Sequence, residues 1–237
     1  MSLLACIKLS AQTDQQLWIE YMMTHPFANV WEIEHLGSYG TNLTKSKWRS
    51  IEYNPTLSWS YTQHFDLIGS MRLQETLQTE NVNTLELTPI VGARVHLTPN
   101  SKILTRVMAR YEFRNIKNLD TKEWSSSGRT RVRIGALIPL NNPTMFNKDK
   151  LWYGIMDGEW FFVVDEEVKE RYANRFRFRA GLGYRLTYNS RFEFIYTYQE
   201  SRNKFDNNEA TIDNIFRIRF RHFINKSKPS KTLGIGN

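Results

Sequence analysis

The chain has 237 residues, of which 41% are hydrophobic and 14% aromatic, and a formal net charge of +8; its pI is about 9.5 and its mean hydropathy −0.53. No run of about 18 consecutive apolar residues occurs, which excludes a helical membrane span, and the single cysteine, Cys6, excludes an internal disulfide and a CxxC metal site. A basic balance can signal nucleic-acid binding, but here arginine recurs at alternate positions of strand-like runs rather than in one basic tail or helix, so nucleic acid is not an expected partner.

Residues 1–11 read as the remnant of a secretory signal peptide, with Gln12 or Thr13 at the mature start. Cys6 follows Leu3, Leu4 and Ala5 as in a lipoprotein box, but only five residues precede it, so the signal reading is preferred. From there the dominant period is two, the period of a strand. Eleven such segments follow, near 15–24, 29–40, 48–62, 66–77, 84–97, 103–116, 128–140, 151–164, 174–187, 191–204 and 214–225. The clearest is Arg175 to Leu186, where Phe176, Phe178, Ala180, Leu182, Tyr184 and Leu186 share one face and Arg175, Arg177, Arg179 and Arg185 the other. Most segments run past about ten residues, enough for a tilted strand to cross a bilayer, whereas strands of soluble domains average about five or six.

The connections at 62–66, 98–102 and 188–190 are brief, and those at 117–127, 165–173 and 205–213 are longer and polar. This is the short-turn, long-loop habit of outer-membrane barrels; the segment 141–150 is long where a short turn is expected. Because bacterial barrels have even strand numbers, the expectation is an all-β antiparallel transmembrane barrel of about twelve strands, with ten as the alternative. Pro55 and Pro89 fall inside strand segments, where a missing N–H breaks the ladder, and are assigned to bulges or membrane-edge positions. The barrel is assigned to 12–225 and a flexible basic tail to 226–237.

One face of each segment is apolar and the other charged. If sequence neighbours pair, Arg177 and Arg179 lie between a strand with Asp157 and Glu159 and one with Glu193; closure sets Arg217, Arg219 and Arg221 beside Glu20. The expectation is a charge ladder in the lumen comprising Glu20, Glu32, Glu86, Arg94, Arg106, Arg110, Arg131, Arg133, Asp157, Glu159, Arg177, Arg179, Glu193, Arg217 and Arg219, since opposite charges on adjacent strands stabilise pairing and an enclosed interior disfavours unpaired charge. The alternative is the solvated face of an open sheet. Trp18, Trp31, Trp48, Trp124, Trp152 and Trp160 are candidates for interfacial girdles or wall positions.

No catalytic motif stands out: GxSxG, HExxH and a P-loop are absent, and Gly181-Leu182-Gly183 is a wall feature with no following helix. None of the five histidines stands at metal spacing, and no cofactor is implied. For a Ser–His pair on a barrel wall, His96 and His222 are the candidates; Asp157 and Glu159 could act as paired carboxylates, but with arginine nearby they read as a structural cluster.

The stretches 12–21, 25–29, 149–154 and 174–186, with Glu200-Ser-Arg-Asn203 and Asp213-Asn-Ile-Phe-Arg217, resemble the domain-of-unknown-function 2490 family, a group of outer-membrane β-barrels. The resemblance covers nearly the whole mature chain. It implies a barrel in the outer membrane of a Gram-negative bacterium, with outer-membrane lipid and the barrel-assembly machinery as partners. It implies no substrate and carries over no catalytic residue. The functional expectation is a narrow pore or a structural or binding barrel; the alternatives are a lipid- or lipopolysaccharide-modifying enzyme and a soluble all-β ligand-binding barrel.

Overall fold

A computed structural model describes residues 12–44, 48–78, 83–146, 149–163, 173–202 and 210–224. Cys6, the signal remnant at 1–11 and the basic tail at 226–237 lie outside the described residues. Within them the chain forms eleven strands: β1 (Gln12–Ala28), β2 (Trp31–Asn42), β3 (Arg49–Thr62), β4 (Phe65–Leu77), β5 (Thr84–His96), β6 (Leu104–Asn118), β7 (Trp124–Pro139), β8 (Leu151–Val163), β9 (Ala173–Thr187), β10 (Ser190–Arg202) and β11 (Ala210–Phe223). Each strand overlaps one alternating segment of the sequence. All sequence neighbours pair antiparallel, and the sheet closes on itself through β1 and β11.

Closure corrects two expectations. The barrel has eleven strands, neither twelve nor ten, and it is mixed rather than wholly antiparallel, because β1 and β11 pair in parallel from Gln12↔Thr211 to Thr24↔Phe223. The two facts are one. In an up-and-down chain direction alternates strand by strand, so an odd number brings the first and last strands together pointing the same way. The even-number rule describes barrels closed by an antiparallel seam, and alternation within each strand leaves the type of seam open.

The strand ends Ala28 and Trp31, Thr62 and Phe65, His96 and Leu104, Pro139 and Leu151, and Thr187 and Ser190 all lie at one rim, here the turn end, and Asn42 and Arg49, Leu77 and Thr84, Asn118 and Trp124, Val163 and Ala173, and Arg202 and Ala210 at the other, the loop end. Within the long connection between β7 and β8, Met145 is buried against Leu151, Tyr153, Ile155 and Ile195, with Leu104 and Leu137 packed around them. At the loop end, β7 begins earlier than apolar alternation indicates, since Ser125, Ser126 and Ser127 pair with Ile116, Asn115 and Arg114 of β6.

Neither proline marks a bulge. The β3–β4 register holds from Tyr53↔Leu73 to Thr56↔Ser70 and skips only Asn54 and Pro55. Likewise the β5–β6 register holds from Leu87↔Asn115 to Ile90↔Glu112 and skips Thr88 and Pro89. Side chains replace the lost ladder bonds: the Ser70 hydroxyl donates to the Pro55 carbonyl at 2.8 Å, and the Asn115 amide donates to the Leu87 carbonyl at 3.4 Å. The register shifts fall elsewhere, at 26–28, 60–62, 190–191 and 200–201.

The apolar face points out. Ile19, Ile51, Leu67, Val91, Ile134, Phe162, Leu182, Phe194 and Ile218 are all exposed on strands around the whole circumference. The polar face points in and is buried. This inverts the pattern of a water-soluble protein, whose exposed apolar patches rarely exceed a few hundred square ångströms.

Candidate functional site: a guanidinium-lined interior

Alternation delivers every second side chain of each strand to the inside, and there the carboxylates act as hubs. Glu112 on β6 is fully buried. It meets Arg129 and Arg131 of β7 at 2.7 Å each, Arg110 at 3.1 Å and Arg72 of β4 at 3.6 Å. Glu159 on β8, also fully buried, meets Arg110 and Arg179 at 3.4 Å, Arg177 at 3.5 Å and Arg133 at 3.6 Å. Arg110 therefore links the two hubs. Glu86 extends the network towards the loop end through Arg72 at 2.5 Å, Arg114 at 3.1 Å and the Thr88 hydroxyl at 2.7 Å. Asp157 takes Arg179 at 2.6 Å. The ring of Phe161 faces inward among three cations, 4.5 Å from Arg131 and 5.3 Å from both Arg129 and Arg177. A buried ion needs partners on all sides, and guanidinium, with five fixed donors, can serve two carboxylates at once.

The seam carries a second cluster. Glu20 on β1 pairs with Arg217 and with Arg219, the latter at 2.6 Å. Arg219 reaches Glu193 on β10 at 3.2 Å, and Glu193 accepts the Tyr153 hydroxyl at 2.7 Å. Arg221 lies 3.4 Å from Glu34 and 3.7 Å from Glu193. Arg217 also stacks over Trp18 at 4.9 Å. Near the turn end Asp66 binds Arg94 at 3.3 Å and His96 at 2.8 Å.

Between the clusters runs a cavity of about 720 Å³. Its lining extends from Gln16, Trp48 and Thr84 at the loop end to Glu32, Thr98 and Phe223 at the turn end. Fourteen arginines and six carboxylates line it.

The fifteen residues singled out from the sequence sort as follows. Glu20, Glu86, Arg94, Arg110, Arg131, Arg133, Asp157, Glu159, Arg177, Arg179, Glu193, Arg217 and Arg219 all stand in the ion pairs above. Glu32 lines the cavity near its turn end. Arg106 lines the cavity too, with no carboxylate within ion-pair distance among the described residues. Sequence reasoning missed Asp66, Arg72, Glu112 and Arg191 as members of the set. All four carried a usable parity signal: Glu112 shares the parity of Arg110 and Arg114, Asp66 and Arg72 share one face of β4, and Arg191 stands two residues before Glu193 on β10.

Two further expectations are resolved. Trp18 is no wall or girdle residue but a buried interior one, packed on Gly40 and 5.9 Å from Trp48. His96 is taken up by Asp66, and His222 by the Tyr21 hydroxyl at 3.2 Å; in neither case is the partner a serine. Among the described residues, no group of three His, Cys, Asp or Glu could hold a metal ion.

No curated protein matches the chain. The family described as Protein of unknown function (DUF2490) matches residues 15–211, from within β1 to the start of β11. With this span the chain belongs to the DUF2490 family.

Proposed function

We propose that this protein is a β-barrel spanning the outer membrane of a Gram-negative bacterium, and that its charged lumen is a narrow passage for small polar solutes. The observation that carries the reading is the inversion of the two faces. Large apolar residues cover the outside, while arginine and glutamate are buried inside. Water would penalise such a wall, and hydrocarbon favours it, because closure leaves no unpaired sheet edge to desolvate.

The outward tryptophans add support. Trp31, Trp59 and Trp152 stand towards the turn end, and Trp124 and Trp160 towards the loop end. Trp152 and Trp160 lie on the same strand and both face out. Their eight-residue separation is about 27 Å along the strand at ~3.4 Å per residue, roughly 20 Å in height for a tilt of about 40°. That is close to the apolar band of outer-membrane barrels, about 25 Å tall and flanked by aromatic girdles. On this reading the wall meets outer-membrane lipid, the barrel-assembly machinery inserts the chain, and the charge ladder keeps the lumen hydrated while restricting its width.

Cell fractionation and gel mobility with and without boiling test the membrane assignment: the protein should need detergent for extraction and change mobility on heating. Extraction into plain buffer would overturn it. Planar-bilayer recording tests the passage, which should appear as small discrete conductance steps.

A further inference from the structure

We infer that the turn-end part of the cavity, walled by Arg94, Arg106, Arg191 and Arg221, binds a small multivalent oxyanion of the phosphate class. Three observations lead there.

The first is a row of like charges. Arg191 on β10 lies directly opposite Arg185 of β9 and directly opposite Arg221 of β11, so three arginines stand side by side across three adjacent strands. Like charges directly opposite destabilise a sheet; Asp149 acts on Arg185, but the acids acting on Arg191 and Arg221 are Glu193 and Glu34, and both are already engaged. Glu34 is held by Arg221; Glu193 is shared among Arg219, Arg221 and the Tyr153 hydroxyl. Asp66 is held by Arg94 and His96, and Asp157 by Arg179.

The second is unused donor capacity. Arg191 is only 3% exposed. Its guanidinium stacks 4.3 Å from the centre of the Phe223 ring, with Arg221 at 5.2 Å from the same ring. Stacking occupies the faces of a guanidinium and leaves its N–H edge free. The Nε atoms of Arg191 and Arg221 are buried without a hydrogen-bond partner. Arg106, across the cavity, forms no ion pair among the described residues; Arg94 and Arg221 repel it, and the acids that attract it from beyond ion-pair distance, Asp157 and Glu34, are held by Arg179 and Arg221.

The third is the imbalance of the lining. To its six carboxylates, the acids buried directly behind it add Asp66, Glu112, Glu159 and Glu193, which makes ten against fourteen arginines. Asp14 and Asp213 stand opposite each other at the other end of the seam, by the loop end. An enclosed interior of low dielectric holds such an excess poorly without a counter-anion. Phosphate-type oxygens fit several guanidinium edges at once.

The inference concerns the cavity and holds in detergent as in a bilayer, so it can fail separately from the membrane reading. Full-length protein purified in detergent is titrated with inorganic pyrophosphate by calorimetry at low salt, with a phosphate-headgroup lipid in mixed micelles as a parallel arm. Saturable pyrophosphate binding is expected, weakened about tenfold or more in Arg106→Gln and in Arg191→Gln, since a charge-assisted hydrogen bond is lost. Lys122→Asn, in an exposed turn at the loop end where φ is 66°, should bind like the parent. Heat-modifiable mobility certifies that each variant is folded; should Arg191→Gln fail to fold, the half-buried Arg106 position decides. Absence of pyrophosphate binding, binding indifferent to Arg106→Gln, or binding of the lipid alone would overturn the inference. A barrel that binds pyrophosphate but fails to enter bilayers would leave it standing and remove the membrane assignment.

Discussion

Glu20 on the first strand lies directly opposite Arg219 on the last, and their side chains meet at 2.6 Å inside the barrel. On the outer face of the same seam the rings of Tyr21 and Phe220, also directly opposite, stack with centroids 5.9 Å apart. Parallel pairing is slightly weaker per residue than antiparallel, and this seam is the one parallel junction of the sheet. Its closure therefore depends on these contacts more than the other junctions depend on theirs. Glu20→Gln leaves Arg217 and Arg219 buried without their shared carboxylate. The expected cost is about 3–5 kcal/mol, read as a lower denaturant midpoint in detergent and as early loss of the compact, unboiled gel band.

Glu112 holds four guanidiniums within 3.6 Å and is itself fully buried. Glu112→Gln keeps the shape and removes the charge that balances Arg129 and Arg131. A loss of at least about 3 kcal/mol is expected. Glu34→Gln, at a pair whose side chains are 18% and 28% exposed, should cost about 1 kcal/mol or less. Urea titrations of the two variants check the ordering; equal losses would show that burial does not govern the network.

Glycine at 183 is required by a neighbour. A methyl group there would run into the ring of Tyr153, whose hydroxyl donates to Glu193 at 2.7 Å. Gly183→Ala should push the ring aside, break that hydrogen bond and cost about 1–3 kcal/mol. At Gly69 nothing lies within 4 Å of the added atom, so Gly69→Ala should be neutral. Thermal melting of the pair in detergent checks the contrast.

Ile218 is 50% exposed on the outer wall. On a wall facing water, Ile218→Arg would be nearly silent, as surface substitutions usually stay within about 0.5 kcal/mol. Facing the bilayer midplane it should cost roughly 2–4 kcal/mol. Folding yield into lipid vesicles, compared with a detergent of loose packing, measures the difference.

Much of this was readable from residue order, for a local reason. The face on which a side chain falls depends only on parity within its own strand, so Phe176 and Phe178 separate from Arg177 and Arg179 without knowledge of any partner. The pairing of Asp157 with Arg179 follows once neighbouring strands are joined. What stayed hidden depends on distant or irregular matters. The parallel seam is decided by how many strands close the ring. Ser125 to Ser127 join β7 because β6 offers them a ladder, although their own side chains alternate nothing. Trp18 shares the inward parity of Glu20, but that so large a ring fits inside depends on Gly40, directly opposite it on β2, which leaves room for the indole. The burial of Met145 depends on an apolar hollow built by the two flanking strands, β7 and β8, and by β6 and β10.

The odd strand number also fixes the sidedness of the two chain ends. The first strand starts at Gln12 beside Thr211, while the last strand finishes at Phe223 beside Thr24, on the opposite rim. In a bilayer, a peptide preceding Gln12 and one following Phe223 would thus meet different aqueous compartments, so that epitopes fused ahead of the first strand and behind the last would be accessible to a membrane-impermeant antibody from opposite sides.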